Sequence, residues 1–145
     1  MAVTDEQAAT LRTYLAGDFE THARLRDQLD RDAAASGYSA LISAAFCVAV
    51  LRRFAKDHGA AAVIGFIGAV RSRSEGLSDK IDPRTAERLI QSVFTYEKVA
   101  DVSQEMRFRL QFLLVAALVV DEHLDDVGLD EFMTESRKLA DGWLR

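Results

Sequence analysis

Apolar positions recur along this chain at spacings of three and four, and that period divides it into about six helical segments. The first opens at Thr4, where Gln7 three residues on completes a capping-box pattern. It carries the stripe Leu11, Tyr14, Leu15, Phe19, His22, Leu25 and Leu29, with Arg12, Glu20, Arg24, Asp27 and Arg31 on the opposite side. The pattern predicts one long helix over about 4–35 that closes within Ala33–Gly37, where Gly37 suits a left-handed cap. A small-residue link separates that helix from the body, so it is expected to serve as a packing or dimerisation arm.

The second predicted helix, about Ser39–Asp57, is apolar around nearly its whole circumference until Arg52 and Arg53, which requires a central place in a bundle. The third, about Ala60–Ser74, is also apolar, and its Ala61, Gly65 and Ala69 form a row of small residues that admits another helix at close range. Glu75–Ile81 reads as the longest connection. Asp82 and Pro83 then mark the fourth helix: a capping carboxylate followed by proline at the first helical position. Ile81 is placed to staple against Ala86, and the stripe Ala86, Leu89, Ile90, Val93 and Phe94 follows. A fifth helix is expected from Asp101 or Ser103 to about Asp125, apolar from Phe112 to Val120. Gly128 is expected to end the next connection, with Asp130 and Glu131 opening a sixth helix. The inner face of that helix runs through Leu129, Phe132, Met133, Ser136, Leu139 or Ala140, Trp143 and Leu144. No stretch alternates with period two. The expectation is an all-α, single-domain bundle over residues 1–145, with the second and fifth helices central and buried.

Composition narrows the function classes. The 145 residues are 49% hydrophobic and 28% charged, within the globular range. A net charge of −5 weighs against nucleic-acid binding, which relies on a basic surface. Cys47 is the only cysteine, so no intrachain disulfide forms and a reducing compartment is expected. The N-terminus lacks a basic region followed by an apolar run, and the apolar stretches Ala40–Leu51 and Phe112–Val120 fall short of the roughly 20 residues that span a bilayer. A cytoplasmic protein without membrane contact is expected. The dominance of arginine over lysine gives the composition a bacterial, GC-rich character.

Candidate chemistry is sparse. His22 lies on an apolar stripe and reads as a hydrogen-bonded packing residue; His58 precedes Gly59 at a helix end, where capping explains it. Cys47 sits in an apolar helix, where desolvation suppresses its thiolate. Nucleophile elbows, phosphate-binding loops and zinc motifs are absent from the sequence. The helix pair within Ala86–Met106 lacks the usual turn glycine of a DNA-binding helix-turn-helix. Ser39, Ser43, Tyr38 and Gln111 are the polar candidates on the central helices, and each has a simple capping or surface explanation.

The acidic run around His123 is the feature that bundle packing does not absorb. Asp121, Glu122, Asp125 and Asp126 at a helix C-terminus oppose its dipole by about 0.3–1 kcal/mol each when unpaired. Neither the ligand spacing of a calcium loop nor paired Glu-x-x-His motifs are present, so no metal is expected. The run is expected instead to form a charged interaction patch with Arg52 and Arg53, or with Arg71. No catalytic, cofactor-binding or metal-binding residue is expected, and an enzyme is not. The reading that remains is a cytoplasmic interaction or regulatory protein acting through helix–helix contacts, with itself or with another protein. The alternative is a bundle that holds a small apolar ligand in space left by Ala44, Ala45, Ala49, Gly65, Gly68, Ala116 and Ala117.

Overall fold

Thr4 opens the first helix in the manner its sequence predicts. In the computed structural model, which describes residues 2–29 and 34–145 (the backbone alone at 34 and 35), Thr4 Oγ1 accepts from the Gln7 N–H at 3.1 Å. Gln7 Oε1 accepts in return from the Thr4 N–H at 3.0 Å. Helix α1 then runs Asp5–Leu15 and stops. Gly17 takes a left-handed conformation (φ +80°) that a side chain would strain, and Asp18 caps a new helix by accepting from the Thr21 N–H at 3.2 Å.

The predicted long first helix is therefore two. Helix α2, Phe19–Gln28, folds back so that His22 Nδ1 lies 2.8 Å from the Thr10 carbonyl. Residues 30–33, which include Arg31 and part of the expected helix end, lie outside the described residues.

A π-helical turn, Ala34–Tyr38, leads without a break into α3, Ser39–Phe54. Gly37 is not in the left-handed region; its role is steric. A Cβ there would sit 2.6 Å from the Gln7 side-chain oxygen, so the turn packs against α1 only because the side chain is missing. Helices α4 (Ala60–Arg71), α5 (Glu75–Lys80), α6 (Pro83–Thr95), α7 (Gln104–Glu122) and α8 (Asp126–Trp143) follow. The described residues thus form eight α-helices and no strand, where about six helices were expected.

The first additional helix is α2. The second is α5, which occupies the expected loop: the Ser74 hydroxyl accepts from the Leu77 N–H at 3.3 Å and starts a helix of one and a half turns. Six residues with a half-buried Leu77 as the apolar anchor are too few to display a period. Asp82 caps α6 through the Thr85 N–H at 2.9 Å, and Ile81 and Ala86 are both fully buried beside that start.

One hydrophobic cluster runs through the bundle from Val3 to Ala140. Helix α3 lies along both α7 and α8 and also touches α1, α6 and the π turn. Helix α8, read from sequence as a peripheral amphipathic helix, packs on α3 as extensively as α7 does. Its far end is tied to the N-terminal segment: Val3 N–H donates to Asp141 at 2.7 Å, and Arg137 donates to the Val3 carbonyl at 2.7 Å and pairs with Asp5 at 2.8 Å. Among the described residues one helical stretch, Ser36–Phe54, is long and apolar enough to cross a membrane by length and composition, and 61% of its most apolar window is buried inside the bundle.

Candidate functional site

The acidic run divides between two helices. His123 adopts a left-handed conformation (φ 53°) and ends α7 immediately after Asp121 and Glu122. Asp125 then caps α8, accepting from the Gly128 N–H at 2.7 Å, and Asp126 is the first residue of that helix. Gly128 lies inside α8 rather than ending the connection before it. Asp125 and Asp126 therefore meet the positive end of a helix dipole, where a carboxylate is favourable. The expected opposition of four carboxylates to one dipole reduces to two.

Those two are paired. Asp121 Oδ1 lies 2.6 Å from Arg73 and Oδ2 lies 3.2 Å from Arg53, so one half-buried carboxylate joins the ends of α3, α4 and α7. Glu122 pairs with Arg52 at 2.9 Å. Two of these three arginines are also seated on rings: Arg52 lies 5.6 Å from the centre of Phe132, and Arg53 lies 5.1 Å from that of Phe66. On the other side Arg12 holds Asp130 at 2.7 Å and Asp126 at 3.8 Å. Arg71 goes elsewhere, donating to the Ser78 carbonyl at 3.1 Å in α5, and Arg73 takes the place expected for it. The junction is a set of internal clamps between helix ends. Among the described residues no group of three or more His, Cys, Asp and Glu is arranged to hold a metal ion.

The other polar candidates have separate environments. His22 is buried, its ring beside Tyr14 and Phe112. His58 is exposed and stacks on Phe94 with ring centres 4.2 Å apart, a contact its sequence position did not announce. Cys47 is half-buried rather than fully enclosed, and burial pushes its thiol above the ordinary value. The Tyr38 hydroxyl is buried without a hydrogen-bond partner among the described residues, and the same burial keeps it neutral well above the usual tyrosine range. Ser43 and Gln111 meet across α3 and α7 at 2.8 Å.

The small residues expected to open an internal space take two different positions. Ala44, Ala45 and Ala49 are packed in the core. Gly65 and Gly68 are on the outside. Helix α4 buries Val63, Phe66, Ile67 and Val70 toward the bundle, and its contacts are mainly with α6 and α5. Its other face, Ala61, Ile64, Gly65, Gly68 and Ala69, is exposed and carries no polar side chain. Ile64 is 53% exposed, and a Cβ built at Gly65 or Gly68 would meet nothing within 4 Å. The row that the sequence set aside for a neighbouring helix has none among the described residues.

No family model, no curated protein and no solved structure matches this chain.

Proposed function

We propose that this chain is a non-enzymatic cytoplasmic interaction protein that associates with a second copy of itself through the outer face of α4, while α3 and α7 form the buried centre. The observation that carries this reading is that face: an apolar strip of Ala61, Ile64, Gly65, Gly68 and Ala69 left open to water on a helix whose residues 60–70 include no polar side chain. A contiguous apolar strip of this kind can serve as a contact surface for a partner. Small residues let two helix backbones approach closely, and Ile64 provides a side chain to fill the seam. A twofold axis through the middle of α4 would pair the helix with itself in antiparallel fashion, setting each helix dipole against its opposite end.

The strip is short. Twelve residues make a helix of about 18 Å, well under what a standard interface of about 800 Å² per partner needs. The self-association expected is therefore weak, with a Kd on the order of 100 µM.

Light scattering coupled to size-exclusion chromatography tests it. The mean mass should rise from monomer toward dimer as the loading concentration is increased from about 10 µM to about 1 mM, a span that brackets that Kd. Ile64→Glu should hold the chain monomeric throughout without altering its helical circular dichroism. A parent protein that stays monomeric across the range refutes the reading, as does an Ile64→Glu variant that dimerises as the parent does.

A further inference from the structure

A half-open groove of about 400 Å³ lies where the start of α3, the first turns of α7 and the end of α8 meet. That volume is within the range of small-molecule sites, about 300–1,000 Å³. Its walls bring together residues from three distant stretches of sequence: Ser39 and Ser43, Gln104, Arg107 and Gln111, and Trp143, with Ala40 and Phe108 between them.

Three features of this groove set the chemistry it can accept. The first is charge. Arg107 is the one ionisable residue in the lining, and no carboxylate shares it. Arg107 donates through Nη2 to the Val99 carbonyl at 2.8 Å, which fixes the guanidinium; its other N–H groups have no partner among the described residues. The groove also lies at the amino end of α7, where the helix dipole favours a negative group. The nearest acid of that first turn, Glu105, is exposed and directed to Arg109 at 3.2 Å.

The second is a buried amide. Gln111 is 92% buried, and its Oε1 accepts from the Ser43 hydroxyl at 2.8 Å. That bond orients the carboxamide and leaves its NH2 group with no hydrogen bond among the described residues. That NH2 group stays open to solvent in the groove, where it can donate to an acceptor on a bound molecule.

The third is an aromatic surface. Phe108 and the half-exposed Trp143 line the same groove as the polar groups, so a flat apolar body can lie against them while its charged end reaches inward.

We infer that this groove is a binding site for a small aromatic carboxylate, its carboxylate held by Arg107 and the Gln111 amide and its ring set against Trp143 and Phe108. A single guanidinium suits a monoanion. A phosphate dianion would face a chain of net charge −5 with one compensating cation. Five of its eight lining residues carry polar side chains, which distinguishes this site from the apolar-ligand cavity expected from the small core residues. The inference is independent of self-association through α4.

Trp143 is the only tryptophan, so its fluorescence and its indole N–H resonance report on this groove alone. The full-length protein is titrated with benzoate, with benzyl alcohol as the neutral analogue and inorganic phosphate as the small anion. Benzoate should give a saturable change in both signals with a Kd on the order of 1 mM, the scale of a ligand this small. Benzyl alcohol and phosphate should give none below about ten times that concentration. Arg107→Gln and Gln111→Leu should each weaken benzoate at least about tenfold, a difference of about 1.4 kcal/mol. Two substitutions are used because Arg107 also supports the Val99 backbone; the variant that keeps the parent circular dichroism decides. The inference is overturned if benzoate leaves both signals unchanged, if benzyl alcohol or phosphate binds as well, or if a folded variant binds with parental affinity.

Discussion

Gly37→Ala sets a backbone gain against a steric loss, and the structure gives the size of each. Alanine in place of a helical glycine stabilises by about 0.5–1 kcal/mol when the site has room. Here the new methyl would lie 2.6 Å from Gln7 Oε1, 2.8 Å from Nε2 and 3.0 Å from Cδ. Gln7 cannot simply swing away. It is 3% exposed, and its carboxamide oxygen accepts the Thr4 N–H that closes the capping box. Displacing it opens that box, worth about 1 kcal/mol, and overpacks a filled contact, worth about 1–3 kcal/mol. The net expectation is a loss of about 1–3 kcal/mol, or a fall in Tm of about 3–9 °C for a domain of this length. Urea unfolding followed by far-ultraviolet circular dichroism measures it. The decisive comparison is made in a Gln7→Ala background, where the side chain responsible for the clash is gone. There Gly37→Ala should be neutral or stabilising, giving a coupling energy close to the single-variant loss. A single Gly37→Ala variant as stable as the parent, with an unchanged m-value, would refute the packing of the π turn against α1.

Three further outcomes follow from the ion pairs and the core. Asp121→Asn removes the carboxylate shared by Arg53 and Arg73 and should lower stability by about 1 kcal/mol, less in about 1 M salt, by the same urea assay. The two hydrogen bonds from Arg88 hold the Asp101 carboxyl down to about 2; because the folded value is depressed, its contribution is complete above the ordinary value of about 3.9 and disappears as pH falls from there to about 2. A carboxyl-carbon NMR titration should show that low midpoint in the parent and an ordinary one in Arg88→Gln. Tyr38→Phe deletes a buried hydroxyl that has no partner among the described residues, so stability should hold or rise by about 1 kcal/mol.

The helix starts were readable because caps are local: Thr4 with Gln7, Asp82 with Pro83, and Ser103 all act on residues three positions away. The apolar runs of α3 and α7 were readable because they hold almost no polar residues, and most of their positions are at least partly buried, although Leu51 and Val120 at their ends are about half exposed. The division of the first segment was hidden because the three-four spacing of Leu15, Phe19 and His22 continues across Gly17, although Phe19 is exposed and His22 buried once the chain folds back. Gly37 carried the opposite lesson. A glycine near an expected helix end suggests a left-handed cap, whereas its structural role is to admit a side chain from thirty positions earlier in the chain.

The acidic run shows the same limit at the candidate site. Its charge and its two partners Arg52 and Arg53 were visible in composition and spacing, but the choice of Arg73 over Arg71 depends on α5, which turns Arg71 toward Ser78. The groove beside Trp143 was legible only in part: Ser39, Ser43 and Gln111 were singled out one by one. Their convergence with Arg107 and Trp143 needs three helices brought together, and no local pattern encodes that.

The self-association of α4 is tested most directly by cross-linking across its outer face. Gly65 lies at the middle of the helix, beside the proposed twofold axis, and a side chain there meets nothing within 4 Å in its own chain. Gly65→Cys is made in a Cys47→Ala background, with Glu97→Cys, on the exposed connection between α6 and α7, as the control. Paired helices built on small residues bring such cysteines within the Cα separation of about 4.4–6.8 Å that a disulfide requires. Under mild oxidation near the expected Kd, the Gly65→Cys chain should convert to a covalent dimer well ahead of the control. Cross-linking of both variants at the same slow rate would contradict the account.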